Sequence, residues 1–478
     1  MRCSCPHPLL PFRFATLLLA AVLLLTAGSC RKQQGGPPLS ETDSLVLFRL
    51  TDLPEIRLEI SPEEWNKLLS NFDQNPKNET YILAGYRFKL GGKEILLDSM
   101  GIRLRGNTSR RRPEGTTGQP HQVVNPDWHH AHFALKFDKY RKEQRFNGKA
   151  RLNLKWFKDD ASYVREIYAY DLFRRFGVWS APQASYCRLS LHVSGDPRPA
   201  YFGVYALVEH VDEDFITARS GQWGNVPGFL WKCGWAGSYS ANFVSTASVG
   251  VEDVKLDPAR SKYFAYDLKT REKELAAAEA QLTDFIRELN SRTGAGFEAW
   301  AEQNINVELL LKAYAVNVLV GMWDDYWVNT NNFYIYFTPA GKAHFIPYDY
   351  DNTLGTSLLM PNSGTQDPMQ WGPATDRPLI TKILAVDRWR QQYRNYLREL
   401  VAQGQSLFAY PASLQRILAW QQLVGAWVSN DTGEDMVIED KPAGWGNAPF
   451  YRLLSGNDAG GANGPANFFT TRTRQINW

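Results

Sequence analysis

An α+β fold with a β-rich first half and a mainly helical second half, arranged as two lobes, is the class this sequence predicts. Three observations carry it. Short runs of alternating polar and apolar residues fill the stretch from Leu45 to Leu154. One stretch of helical period and two further strand patterns follow, up to Val211. From about Asp267 the apolar residues recur at helical spacing, with a single hairpin pattern interrupting them.

Taken in order, the chain opens with Arg2 and Arg13 ahead of LLLAAVLLLTAGSC, an apolar run too short to span a membrane and stay there. This reads as a signal peptide over residues 1–30. Ala27, Gly28 and Ser29 before Cys30 match a bacterial lipobox, with Ala27 where Leu is usual. Cys30 is therefore the expected lipidation site, ordinary signal-peptidase cleavage being the alternative. The protein is expected to be exported and tethered by lipid at the cell envelope, in the periplasm or on the cell surface. Residues 31–44, RKQQGGPPLSETDS, have no periodicity and read as a flexible tether.

The runs EIRLEI, YRFKL, EILLD, GIRLRG and HFALKFD, separated by Gly, Asn and Pro clusters, predict antiparallel strands. DDASYVREIYAYDLFRRFGV predicts a helix that Asp160 or Ser162 caps and Gly177 closes. SYCRLSLHV and YFGVYALVEHV, joined by SGDPRP, predict a hairpin. Leu275, Ala278, Leu282, Phe285, Ile286 and Leu289 form one apolar stripe, and VELLLKAYAVNVLVGMW is apolar enough for a buried helix. NNFYIYFTPAGKAHFIPYDYD predicts a second hairpin, and further helices run from Leu379 to Val428. Ser455 to Asn467 reads as a loop, and residues 431–478 as an extension packing on the helical lobe.

At 478 residues the chain can hold two or three domains or one elaborate one. Lys+Arg 53 against Asp+Glu 50 leaves no broad positive footprint, which argues against a nucleic-acid partner. Trp 16, Tyr 22 and Phe 25 fit a large aromatic core or a carbohydrate-type surface. With Cys3, Cys5 and Cys30 assigned to the leader, Cys187 and Cys233 remain, free or paired.

The strongest chemical signal runs from Asp324 to Asp351. In GMWDDYWVNTNNFYIYF, Asp324 and Asn329 are five apart, the spacing of protein-kinase catalytic loops, and Asp325, Asn331 and Asn332 crowd beside them. Helix capping and turns use the same residues. In FIPYDYDNTLG, Asp349 and Asp351 lie two apart on an expected strand and so point to one side, which suits a hard divalent cation with Asn329 supplying an amide oxygen. A turn with both carboxylates satisfied by backbone amides is the alternative.

Upstream, GIRLRGNTSR places Gly101, Gly106, Asn107, Thr108 and Ser109 at a turn with Arg103, Arg105 and Arg110 near it, a phosphate cradle or an ordinary β-turn. Lys155 ends a strand just before the helix bearing Glu166, the order of a strand lysine paired with a helix glutamate; Lys136 is the weaker choice. Glu209 and Asp212 close a strand and either contact a nucleotide or start the next helix. His129, His130 and His132 form a metal cluster or a loop.

These segments, in order, resemble the CotH kinase-like family, named after spore coat protein H: GIRLRGNTSR, RLNLKWFKDDASYVREIYAYDLFRRFGV, YFGVYALVEHVDEDFI, GFLWKCGW, DDYWVNTNNFYIYF, FIPYDYDNTLG and RPLITKIL. The resemblance spans about Leu45 to Gln415 and sets a domain at 45–430. It implies a divergent protein-kinase fold of two lobes that moves a phosphoryl group from an ATP complex with Mg²⁺ or Mn²⁺ to a protein Ser or Thr. By position it implies Asp324 as catalytic residue, Asn329, Asp349 and Asp351 at the metal, and Lys155, Glu166, Asn107, Ser109, Arg105 and Glu209 toward the nucleotide. His130 stands where relatives often carry Lys. A non-catalytic cell-surface binding module that keeps the fold is the alternative, and a glycan hydrolase with paired carboxylates is a third.

Overall fold

Alternation of buried and half-buried residues shapes the first strand, β1 (Glu55–Ile60), whose Ile56, Leu58 and Ile60 point inward. Helix α1 (Pro62–Gln74) follows within the region the sequence pattern assigns to strands alone. Its start signal is local: the Ser61 hydroxyl accepts from the Glu64 amide at 3.2 Å and Pro62 sits in the first turn. Trp65, Leu68 and Leu69 form its buried face. Strands β2 (Ile82–Leu90), β3 (Lys93–Arg105), β4 (His132–Lys136) and β5 (Arg151–Lys155) lead to α2 (Arg165–Arg175), then β6 (Ala184–Val193) and β7 (Ala200–Glu209).

The strands close into a seven-stranded barrel, β1-β2-β3-β4-β5-β7-β6. Every neighbouring pair is antiparallel except the closing one, in which β1 runs parallel to β6 from Glu55↔Arg188 to Ile60↔Val193. β6 and β7 form the hairpin that SGDPRP predicts, with Ala184 opposite Val208. All ten residues of β7 are buried.

Short helices α3 (Glu213–Thr217) and α4 (Ser220–Trp223) lead into β8 (Phe229–Cys233). The two-residue strands β9 (Trp235–Ala236) and β10 (Tyr239–Ser240) pair with each other. Beyond them come β11 (Val249–Gly250), β12 (Tyr266–Leu268), and helices α5 (Leu275–Ser291), α6 (Gly294–Asn304), α7 (Val307–Leu319) and α8 (Tyr326–Asn329). β13 (Phe333–Phe337) and β14 (Ala343–Pro347) form the second predicted hairpin and complete a sheet ordered β11-β12-β8-β13-β14. Helices α9 (Pro378–Ala385), α10 (Asp387–Val401), α11 (Tyr410–Val428) and α12 (Phe468–Thr473) finish the chain.

α5 buries Ala278, Leu282, Phe285, Ile286 and Leu289, five of the six residues on the stripe read from the sequence. α7 is buried on nearly all sides, against α10, α2 and β14, which suits its apolar composition. Phe468 and Phe469 of α12 enter this same core, and the guanidinium of buried Arg472 donates to the Val318 carbonyl at 3.0 Å and lies over Trp371.

This computed structural model describes residues 47–224, 226–356, 359–360, 362–428 and 467–478. The signal peptide, Cys30, the tether and most of the 455–467 loop lie outside the described residues. The described residues all belong to one unit, Val46–Trp478. None of their helices is long and apolar enough to cross a membrane. Cys187 in β6 and Cys233 in β8 are free, buried thiols, so the pairing that the sequence left open does not form.

Candidate active site

Lys155 is the last residue of β5 and is 95% buried in side chain, which makes its ammonium group costly unless carboxylates surround it. Three do. Its Nζ lies 2.7 Å from Glu166 Oε1 and 3.3 Å from Asp351 Oδ2, and it also bonds Asp349 Oδ1. Burial opposes the lysine charge, yet Asp349, Asp351 and Glu166 together raise its pKa well above the ordinary value. Burial likewise works against the Asp349 carboxylate, but Lys155 and Arg105 outweigh it and hold that group down at about 2.

Helix α2 positions this cluster. Its first turn is held by Asp160, whose Oδ2 accepts the Val164 and Arg165 amides at 2.9 and 2.8 Å. Val164 occupies the N-cap position, and Asp160, five residues before Arg165, supplies the capping oxygen expected of it. The Arg165 guanidinium bonds Asp160 and reaches the Thr353 carbonyl at 3.0 Å, while Tyr170 Oη accepts the Asp349 amide at 3.0 Å. Both contacts fix the turn that carries Asp349 and Asp351. That turn corrects the expectation of a strand: β14 ends at Pro347, and Asp349 has a φ of +63°. The two carboxylates converge through Lys155 and not through strand register, and a left-handed Asp persists there because its surroundings hold it.

Asp324 is built differently. It follows α7 and receives only neutral donors: Asn329 Nδ2 at 2.6 Å, Asn331 Nδ2 at 3.1 Å and Asn332 Nδ2 at 2.8 Å. Burial raises its pKa, helped by the nearby Asp349 charge, and the three amides only partly offset this. Its neighbour Asp325 has a structural task. It caps α8 by accepting the Val328 amide at 2.8 Å and takes the Asn317 amide at 2.5 Å, and Tyr350 Oη in turn donates to Asn317 at 2.7 Å. Burial raises the Asp325 carboxyl to about 7. Asp325 is thereby committed to the local fold, whereas Asp324 meets only side-chain amides.

Ser109, Lys155, Glu166 and Asp351 line one small, partly open cleft, together with His132, Trp156, Lys158 and Asn352. Gly106 makes the turn that brings Ser109 there: its φ is +108°, and a Cβ would stand 2.6 Å from Ser109 Oγ. Asn107 is exposed on that turn and is not among the residues lining the cleft. Arg105 donates to Tyr348 Oη at 2.9 Å; burial opposes its charge, but Tyr348, Asp349 and Glu166 raise its pKa.

Glu209 does not reach this cleft. Its buried carboxylate is taken by Lys149 and Arg219, each at 2.6 Å, so both oxygens serve an ion pair that ties β7 to the start of α4. Asp212 caps α3 through the Phe215 amide. The histidines are not a metal cluster either: His132 Nδ1 accepts the Trp156 amide at 2.8 Å, His130 stacks on Trp156, and His129 faces Asp127 and Arg111. Lys136 faces Asp138.

The model of the family described as CotH kinase protein matches residues 102–415. The chain belongs to that family. A comparison with curated proteins finds no match. The matched CotH kinase segment begins inside β3, later than the Leu45 expected from the sequence, and ends in α11 at Gln415. It contains every residue of the two clusters just described.

The donor set also fits a hard cation. Mg²⁺ takes one or two carboxylates and completes its shell with phosphate oxygens and water. Asp349 and Asp351 offer the carboxylates, and Asn329 gives its amide nitrogen to Asp324, leaving the side-chain oxygen as its ligand atom. Among the described residues no group of three or more His, Cys, Asp or Glu side chains is placed to hold a metal ion by itself.

Proposed function

We propose that this CotH kinase protein is a phosphotransferase of divergent protein-kinase type, moving a terminal phosphoryl group from ATP to a Ser or Thr hydroxyl of a protein. One observation carries the reading: a buried Lys155 joined to Glu166 and to the Asp349–Asp351 pair at a cleft, with Asp324 held apart on neutral amides. In this reading the barrel and α2 form one lobe, and the second sheet with the later helices forms the other. The exported, Cys30-anchored placement belongs to the same proposal.

Phosphoryl transfer needs positioning and charge neutralisation more than covalent chemistry. The acceptor oxygen bonds to the terminal phosphorus as the bond to the bridging oxygen breaks, and the nucleoside diphosphate departs. The hydroxyl proton passes to Asp324, whose raised pKa makes it a better acceptor than an ordinary Asp. Lys155 and Arg105 offset negative charge on the phosphates, and Ser109 offers a hydroxyl at the cleft wall. Bound at Asp349, Asp351 and Asn329, Mg²⁺ or Mn²⁺ supplies further neutralisation of the transferred group.

The test is thermal stabilisation by ATP with Mg²⁺ or Mn²⁺, run on the wild type and Asp349→Ala. A rise in melting temperature in the wild type alone is expected. Absence of any rise in the wild type overturns the proposal in favour of a non-catalytic cell-envelope binding module.

A further inference from the structure

Strands β9 and β10 make a small hairpin, Trp235↔Ser240 and Ala236↔Tyr239, and no other strand of the described residues pairs with it. In a molecule whose large aromatic residues are mostly buried, Trp235 is 51% exposed and Tyr239 50%, and Val244 just beyond is 45% exposed. Trp235 is nonetheless fixed in place. Its indole N–H donates to the Asn329 carbonyl at 2.5 Å. The preceding Gly234 lies so close to Asn331 that a Cβ there would come within 2.7 Å of the Asn331 Oδ1. Asn329 and Asn331 are the residues whose amides hold Asp324. An indole open to solvent is therefore one hydrogen bond away from the loop that presents the proton acceptor.

We infer that the Trp235–Ser240 hairpin docks the acceptor: an extended polypeptide segment carrying an aromatic or aliphatic side chain beside its Ser or Thr. This rests on the phosphotransferase reading above. The hairpin offers both elements of strand recognition: a β9 edge that no other strand of the described residues covers, for the peptide main chain, the Ser240 carbonyl of β10 being taken by the Asn242 amide, and aromatic surface for one side chain. An oligosaccharide would use only the aromatic faces, so the open edge favours a peptide. The link from Trp235 to Asn329 makes acceptor binding and the placement of Asp324 parts of one structure.

The experiment measures fluorescence polarisation of labelled Ser-centred peptides on the full chain with Mg²⁺ and a non-hydrolysable ATP analogue. The peptides differ only in the residue flanking the Ser: Trp, Leu, Ala or Glu. Tyr239→Ala, Trp235→Ala and Trp235→Phe are compared with the wild type, and the analogue-induced melting shift is recorded for each. The wild type should bind Trp- and Leu-flanked peptides about tenfold more tightly than the Glu-flanked one, the scale of one buried apolar side chain. Tyr239→Ala should erase most of that preference and keep the melting shift, Trp235→Ala should erase most of the preference as well, and Trp235→Phe retains part of it.

An unchanged preference in both alanine variants overturns the docking inference and leaves the phosphotransferase reading standing. Binding of an added oligosaccharide mixture in place of the peptides overturns it as well. A wild type with no analogue-induced shift overturns the phosphotransferase reading, and this inference with it.

Discussion

Asp349 and Asp324 are carboxylates of one site held by opposite means. Asp349 bonds an ammonium group and lies near a guanidinium, and those cations hold its pKa at about 2 although burial works against them. Asp324 is held by three side-chain amides, which carry no charge, and burial wins, raising its pKa. Cationic partners fix a carboxylate as an anion, ready for a metal or a phosphate-bearing complex. Neutral donors orient a carboxylate and still let it take a proton. In the proposed phosphotransferase the two environments divide a charge-holding role from a proton-accepting one.

Four single variants and one double variant break or sharpen this contrast. The largest effect belongs to Asp324→Asn, which keeps the shape and removes the proton acceptor. Phosphoryl transfer should fall by about 10²–10⁴-fold, as loss of a general base does, with melting temperature nearly unchanged. Transfer at the wild-type rate, followed by label incorporation, would remove Asp324 from its role.

Next is Lys155→Met. It strands the Glu166 carboxylate, whose side chain is 4% exposed, and should cost roughly 3–5 kcal/mol in urea unfolding. Solvent reaches Asp349 and Asp351, at 32% and 44% exposed, so most of the loss should trace to Glu166. The double variant Lys155→Met/Glu166→Gln should recover a large part of the stability. Asp325→Ala removes the cap of α8 and orphans the Asn317 amide, a loss of roughly 2–4 kcal/mol by the same measurement.

The smallest effect is one of pH, and it asks whether a cation between carboxylates behaves alike elsewhere. His121 puts Nδ1 2.9 Å from Glu114 and Nε2 2.9 Å from Asp196, all three side chains being at most 3% exposed. Burial opposes its charge, but the bonds to Glu114 and Asp196 prevail and raise its pKa. A raised histidine pKa adds stability that is complete below the unfolded value of about 6.5 and is lost as pH rises through the folded one. Unfolding free energy should therefore decline across that interval in the wild type and stay flatter in His121→Gln.

What the sequence made legible was local. Both hairpins follow from strand patterns flanking a short turn, and the order of Lys155 before Glu166 needs only a strand followed by a helix. The α5 stripe is likewise a property of neighbours in the chain. What stayed hidden depends on distance or on competition. β1 closes the barrel by pairing with β6, far along the chain, and no local pattern encodes that partner. Glu209 pairs with an Arg ten residues on, which no strand-end pattern distinguishes from an open carboxylate. Helix α1 was marked by Ser61, Pro62 and Glu64, but the surrounding alternation masked it.

The closing strand also bears on how this molecule can be cut. Similarity to the family begins at Ile102, while the barrel needs β1 and β2, which precede it. A fragment trimmed to 102–415 would leave the inner edge of β6 bare and uncover Phe146, against which Tyr86 and Phe88 each pack at 5.0 Å. It would also lose Phe468 and Phe469 from the core at the other end. Open strand edges and exposed rings invite association between chains. The boundary of resemblance is therefore not a boundary of folding, and expression from Leu47 through Trp478 is the design that keeps the barrel shut.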